Sequence, residues 1–243
     1  MRTASASVSK ARQNEIRQAV AILFEPGAVV EVRVLETRRG TVSGYFNSLD
    51  APVRSAAIWG GKAGIYVTLN VLNPELLARA ANWAAEFVKR TTGDSEVVRC
   101  PWLLLDLDPA RPSGTSATDG EHEAALQLDH QVHTWLAQQG WPEPVIIDSG
   151  NGAYLLYRID LNDQGVTELV KKCGCFGPSL FSDEKVKIGT AVSKAAQLIR
   201  VPGTLNAKGD EVPTRPHRVA RVLQAPESLH PRAEIGKRGW LRR

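Results

Sequence analysis

The first part of the chain changes repeatedly between helical and strand patterns. Apolar residues recur every three or four positions over 11–24, which predicts an amphipathic helix that ends at Glu25-Pro26-Gly27. Residues 29–35 and 41–46 alternate around Arg39-Gly40 and predict a β-hairpin. The same reasoning predicts a helix at 51–59, a strand at 64–70 and a helix running from Pro74 to about Lys89.

The second part contains the most apolar strand of the sequence, at 102–106, after a polar and turn-rich stretch at 91–98. Asp119 is the expected cap of a long helix that Gly140 ends. Further predicted elements are strands at 145–147 and 153–159, a helix at 163–172, a strand at 186–188, a helical turn at 193–197, and strands at 198–201 and 218–223. This order predicts an α/β (α+β) fold with mixed sheets.

Composition narrows the class of protein. With 243 residues, of which 43% are hydrophobic, the chain is too apolar for a disordered or fibrous protein. The formal net charge of +4 is only a weak indication of a polyanionic partner. Three cysteines, an odd number at irregular spacing, favour a reducing cytoplasmic location. No apolar run approaches the roughly 18 residues that a membrane span requires, so no membrane association is expected.

We expect three regions along the chain. Residues 1–28 carry the N-terminal helix, residues 29–225 form the main domain with a subdomain seam near 91–100, and residues 226–243 form a basic tail. The tail combines Trp240 with several arginines and lysines, which suits either contact with nucleic acid or a flexible, solvated terminus.

Two carboxylates end the most apolar strand. Because side chains alternate along a strand, Asp106 and Asp108 should point to the same side of the sheet. Paired carboxylates of this kind suit Mg²⁺ or Mn²⁺, which also bind substrate phosphates. The alternative is a strand end with no ligand, in which Asp108 only begins the turn before Pro109.

Two glycine turns lie farther along the chain. Ser149-Gly150-Asn151-Gly152 could present backbone N–H groups to a triphosphate, or could be an ordinary hairpin turn. In the second turn, at Pro202-Gly203, Arg200 and Lys208 place two cations where phosphate contacts are possible, although a solvated turn would look similar.

Taken in order, three segments resemble the archaeo-eukaryotic primase superfamily, in particular the primase-polymerase domains of plasmids, phages and mobile elements. LLLDLDPARPSGTSATDGEHEAA resembles the first motif of that superfamily, DSGNGAYLLYRIDL the second, and VKIGTAVSKAAQLIRVPGTLNAKGD the third. GTVSGYFNSL and AGIYVTLN resemble its N-terminal subdomain. The resemblance implies an N-terminal α/β subdomain packed on an RRM-like sheet, with the site between them.

The resemblance also implies a function, which is metal-dependent nucleotidyl transfer on a DNA template and primer during replication or repair of a mobile element. Asp106 and Asp108 would bind Mg²⁺ or Mn²⁺. The nucleotide-binding residues would be Ser149, Gly150, Asn151, Gly152, Tyr154, Arg200, Lys208 and Arg111. Because no GxxxxGK[ST] loop is present, any helicase would be a separate protein.

The sequence departs from the superfamily at positions that should face the site. Tyr154 stands where the second motif has His, and Gly189 stands where the third motif has a metal-binding Asp. Lys194 and Gln197 replace an expected Asn and Arg. The alternative function is therefore a catalytically inactive module that binds nucleic acid or nucleotide on the same fold.

Other interpretations of individual motifs fit the sequence less well. A haloacid-dehalogenase-type phosphatase also begins with DxD, but such an enzyme would have Thr or Val where this chain has Pro109. Cys173 and Cys175 are too close together for a zinc knuckle and have no matching second pair. His130 and His133 are expected on a solvated helix face.

Overall fold

The computed structural model describes residues 8–61, 64–161, 185–189 and 194–227. These residues form a mixed α and β structure, which confirms the predicted fold class at that level. The helices are α1 (Lys10–Leu23), α2 (Ala51–Trp59) and α3 (Asp119–Gln138), with 3-10 helices at Pro74–Arg79 and Asp94–Glu96. The strands are β1 (Val30–Thr37), β2 (Gly40–Phe46), β3 (Gly64–Thr68), β4 (Val71–Leu72), β5 (Val97–Pro109), β6 (Val145–Asp148), β7 (Ala153–Leu161), β8 (Val186–Gly189), β9 (Leu198–Arg200), β10 (Leu205–Asn206), β11 (Arg218–Val219) and β12 (Arg221–Gln224).

The first sheet has the strand order β2-β1-β3-β9. Strands β1 and β2 form the predicted hairpin, and β3 pairs antiparallel with both β1 and β9. Since β9 follows β8 in the sequence, the chain returns to the first sheet long after the predicted seam near 91–100. Helices α1 and α2 pack against each other, and α2 also packs on β1 and β3.

The second sheet has the order β12-β6-β7-β5-β4, and β8 also pairs with β5. Strand β5, which carries both candidate carboxylates, is 13 residues long and pairs antiparallel with β4, β7 and β8. A separate two-stranded sheet joins β10 and β11.

The two faces of the second sheet bury different cores. Leu103, Leu105 and Leu107 share a core with Ala125 and Val132 of α3. The opposite face shares a core with the first sheet, and its members include Trp102, Leu104, Tyr154 and Leu156. Trp102 also donates a 2.9 Å hydrogen bond to the carbonyl oxygen of Leu23 at the end of α1. The alternation along β5 therefore directs one side of the strand to α3 and the other to the first sheet.

The predicted helix from Pro74 to Lys89 is wrong. Only Pro74–Arg79 is helical, and the following segment pairs with the edge of β2. Ser43 and Ala85 exchange backbone N–H···O bonds of 2.9 and 2.8 Å, so the edge strand satisfies the groups that a helix would have paired internally. Asn82 and Phe87 have φ angles of 58° and 55°, which are incompatible with a right-handed helix.

The other predicted elements mostly match the structure. The helices at 11–24 and 51–59, the hairpin, and the strands of β3, β5 to β9 and β12 are confirmed within a few residues. The cap of α3 is Thr118 rather than Asp119, because the Thr118 hydroxyl accepts from the N–H of Glu121. The predicted helix at 163–172, Cys173 and Cys175 lie outside the described residues. Among the described residues, no helix is both long and apolar enough to cross a membrane.

Candidate functional site

The site is centred on the end of β5. Leu105 and Leu107 point into the core beneath α3, so Asp106 and Asp108 point to the side that faces the first sheet. The Asp106 side chain is partly buried, whereas 53% of the Asp108 side chain is exposed. One carboxylate thus lies at the base of the site and the other at its mouth.

The two carboxylates repel each other. Burial raises the pKa of Asp106 to about 7, and the negative charge of Asp108 contributes further to this rise. Lys208 and Arg111 lower the pKa of Asp106, but too little to cancel the increase. A cation bound between the carboxylates would relieve the repulsion, because it favours the ionised form of both groups.

Arg111 holds one of the carboxylates directly. Its Nη1 donates a 2.6 Å hydrogen bond to Oδ1 of Asp108, and its Nε donates to the carbonyl oxygen of Thr115 at 3.1 Å. Only 6% of the Arg111 side chain is exposed. Arg111 therefore fixes the loop after β5 and neutralises Asp108 at the same time.

Strand β8 supplies the residues opposite the carboxylates. In the antiparallel β5–β8 ladder, Gly189 lies opposite Asp106 and Lys187 lies opposite Asp108. A Cβ atom at Gly189 would lie 3.4 Å from the Asp106 Cβ, an ordinary contact distance. The backbone of Gly189 is outside the left-handed region, so larger residues fit this position. A side chain at Gly189 would therefore begin in contact with Asp106.

Tyr154 is on the other side of Asp106, directly opposite it in the β5–β7 ladder. Only 9% of Tyr154 is exposed, and its ring belongs to the core between the two sheets. Burial raises its pKa, and the charge of Asp106 raises it further. Tyr154 therefore places a neutral, buried hydroxyl at the position where the resemblance implies a histidine.

Arg200 is in the first sheet, on β9, and 1% of the residue is exposed. Its guanidinium lies 4.5 Å from the ring centroid of Tyr66, donates from Nη2 to the Tyr66 hydroxyl, and donates from Nη1 to the carbonyl oxygen of Leu205 at 3.0 Å. These contacts bury the guanidinium, so the geometry gives Arg200 a role in positioning Tyr66 and the 202–205 turn rather than in direct phosphate contact. Burial also raises the pKa of Tyr66, and the negative charges of Asp106 and Asp108 raise it further.

The Ser149–Gly152 turn is held by its own hydrogen bonds. The N–H of Gly150 donates to Asp148 Oδ1 at 2.6 Å, and the N–H of Gly152 donates to the Ser149 hydroxyl at 3.0 Å. A Cβ at Gly152 would lie 2.2 Å from the carbonyl oxygen of Leu107. The second glycine is thus required by close packing against the end of β5, and the amides of Gly150 and Gly152 already have partners.

Two buried amides next to this turn are only partly satisfied. Asn151 Oδ1 accepts from the N–H of Ala117 at 2.8 Å, and Asn206 Nδ2 donates to the carbonyl oxygen of Ser149 at 2.7 Å. Neither Asn151 Nδ2 nor Asn206 Oδ1 has a hydrogen-bond partner. Both asparagines therefore keep the turn in place against the loops that precede α3 and follow β9.

Sequence reasoning missed two residues near the carboxylates. Lys187 stands between the buried Val186 and Ile188, so the alternation of β8 would have placed it on the side of Asp108. No sequence pattern indicated Tyr66, because its proximity to the carboxylates depends on how the first sheet packs against the second. His122 was also missed; its Nε2 lies 2.9 Å from Oδ1 of Asp148, which orients the residue before the Ser149–Gly152 turn.

The residues at the site fit a divalent cation held by two carboxylates. Mg²⁺ commonly takes one or two carboxylates together with substrate phosphates and water, and Asp106 and Asp108 supply such a pair. Within the described ranges, no group of three or more His, Cys, Asp or Glu residues is placed to hold a metal. No protein-family model matches the sequence, and comparisons with curated proteins and with solved structures also gave no match.

Proposed function

We propose that this protein is a nucleotidyltransferase of the primase-polymerase type, which extends a primer on a DNA template with nucleoside triphosphates. The observation that carries the proposal is the carboxylate pair at the end of β5, which faces the first sheet and has Lys208 and Arg111 close enough to affect the pKa of Asp106. The proposed fold is the one that the resemblance implies, an N-terminal α/β subdomain on an RRM-like sheet.

In this proposal Asp106 and Asp108 hold Mg²⁺ or Mn²⁺, which would stabilise negative charge on the reacting phosphates. Lys208 and Arg111 add positive charge where that negative charge develops. The core around Tyr154 excludes water from the base of the site. The two asparagines that fix the Ser149–Gly152 turn keep the end of β5 in position.

A second candidate function is a nucleotide- or nucleic-acid-binding module without polymerase activity. Two observations favour it. Gly189 provides no ligand beside Asp106, and Asp108 already has a cationic partner in Arg111. Loss of one member of a catalytic group commonly costs several orders of magnitude in rate, although binding survives such a loss.

The two candidates differ in their products. Purified protein would be incubated with a labelled primer annealed to templates of different sequence, with dNTPs or NTPs and with Mg²⁺ or Mn²⁺. Products whose length and base composition follow the template support the proposed function. Binding of the primer-template without any extension would exclude the polymerase and leave the binding module.

A further inference from the structure

The side of β8 that faces the carboxylates carries a lysine. Val186 and Ile188 are 2% and 4% exposed and lie in the core beneath α3. Alternation along the strand places Lys187 on the opposite side, which is the side of Asp106 and Asp108. Lys187 is therefore directed toward the site by two buried neighbours.

The register of the ladder places Lys187 next to the mouth of the site. Lys187 is directly opposite Asp108, and residues opposite each other in an antiparallel pair have their Cβ atoms about 4.5–5.5 Å apart. Lys187 is exposed, and among the described residues its ammonium group has no ion-pair partner. Asp108 pairs with Arg111 instead, so the ammonium group of Lys187 is free to bind an anion.

The charges around the carboxylates favour an anionic ligand. Lys187 lies opposite Asp108 in the ladder, and Lys208 lies close enough to Asp106 to act on its carboxylate. Lys187 and Asp108 are both exposed, and Arg111 already neutralises Asp108, so the charge of Lys187 is available to a ligand at the mouth of the site. A triphosphate group has several negative charges and acceptor oxygens, which match ammonium and guanidinium donors.

We propose that Lys187 is a phosphate-binding residue that, together with Lys208, binds the triphosphate group of the nucleotide at the mouth of the site. This inference rests on the proposed function and extends it by naming a residue for the substrate. Lys187 supplies a cation at a site where the buried phenol of Tyr154 supplies none. Because the contact is made by the ammonium group itself, part of the binding persists without a divalent cation.

Isothermal titration calorimetry of the full chain tests the inference, with inorganic triphosphate as the probe, in EDTA and again in Mg²⁺. Lys187→Gln should weaken binding in EDTA by roughly tenfold, as expected for loss of a charge-assisted hydrogen bond. Lys187→Arg should retain most of the affinity. Lys89→Gln is the matched control, since Lys89 is an exposed lysine next to the β2 edge and its loss changes the net charge equally.

Failure of the wild type to bind triphosphate would overturn the inference. Equal affinity of Lys187→Gln and the wild type would also overturn it, as would equal losses of affinity in Lys187→Gln and Lys89→Gln. Primer extension by the same proteins separates this inference from the proposed function. Lys187-dependent triphosphate binding without extension would support the inference and contradict the polymerase. Extension that Lys187→Gln leaves unchanged would support the polymerase and contradict the inference.

Discussion

Gly189 lies directly opposite Asp106 in the β5–β8 ladder, and a Cβ at Gly189 would lie 3.4 Å from the Asp106 Cβ. The site therefore has two carboxylates and no side chain at the position beside Asp106. This relationship explains how the chain keeps a carboxylate pair but has no third acidic ligand among the described residues.

Gly189→Asp should add that third ligand. A carboxylate beside Asp106 and Asp108 should strengthen Mn²⁺ binding by roughly tenfold, because more negative oxygen ligands surround the ion. Calorimetric titration with Mn²⁺ measures the change. Gly189→Asn is the matched control, with a side chain of the same shape but no charge. Equal affinity in the Asp and Asn variants would show that this position does not reach the metal.

Gly152→Ala should destabilise the protein by about 2–3 kcal/mol, since the new methyl group would lie 2.2 Å from the carbonyl oxygen of Leu107. The free energy of unfolding in urea measures this effect. Gly120→Ala is the control, because a Cβ there meets nothing within 4 Å and Gly120 lies in α3, where alanine is favoured. A stable Gly152→Ala protein would contradict the close packing of the turn on β5.

Glu31 is fully buried in the first sheet, and its carboxylate accepts hydrogen bonds from four donor groups. Its carboxylate accepts two hydrogen bonds from Arg33, at 3.1 and 2.5 Å, one from the Ser43 hydroxyl, and one from the N–H of Thr92 at 3.1 Å. Glu31→Ala leaves these donors unpaired and should cost about 3–5 kcal/mol of unfolding free energy.

Asp50→Ala provides the comparison for Glu31. It breaks the exposed pair between Asp50 and Arg17, and should change the unfolding free energy by less than about 1 kcal/mol. Urea denaturation of both variants gives the two values. Similar losses of unfolding free energy in the two variants would contradict the stabilising role of the buried Glu31 carboxylate.

The raised pKa of Asp129 should make the stability of the protein depend on pH. This residue of α3 is 6% exposed, its Oδ1 has no hydrogen-bond partner, and burial raises its pKa to about 7. Because the folded state holds the proton more tightly than the unfolded state does, ionisation makes the protein less stable as pH rises from about 4 to 7. Asp129→Asn should remove this decrease in the free energy of unfolding, which amounts to at most about 4 kcal/mol.

Urea denaturation of the wild type and of Asp129→Asn at pH 5 and pH 8 tests that expectation. The variant should be more stable relative to the wild type at pH 8 than at pH 5, because only part of the loss has occurred at pH 5. Asp106 also has a raised pKa, so the wild type and the variant should keep a common pH-dependent contribution from that residue. Parallel pH profiles for the two proteins would contradict the account of Asp129, because they would show that its pKa is the same in the folded and unfolded states.

Local patterns predicted the elements whose hydrogen bonds are local or whose faces alternate regularly. The β1–β2 hairpin and the apolar strand β5 are examples, and the alternation of β5 also predicted that Asp106 and Asp108 share a side. The helix predicted from Pro74 to Lys89 failed because the edge of β2 offers partners to the backbone of that segment, and local propensity contains no information about such a neighbour.

The site was less predictable than the strands. Arg200 was expected to contact phosphate, but packing of the first sheet buries its guanidinium between Tyr66 and Leu205. The glycines of the Ser149–Gly152 turn suit a phosphate cradle and a tightly packed turn equally well in sequence, and only the contact with Leu107 distinguishes the two. Lys187 was predictable from the alternation of β8, although its register against Asp108 was not.

The most direct test of the proposed function is extension of a labelled primer-template by the wild type, Asp106→Asn and Asp108→Asn in Mn²⁺, with primer-template affinity measured on the same samples. Asparagine keeps the shape of each side chain and removes its charge. We expect extension by the wild type, a loss of at least about a hundredfold in each variant, and DNA affinity that is unchanged or higher. Extension that persists in both variants would contradict a catalytic role for the carboxylates.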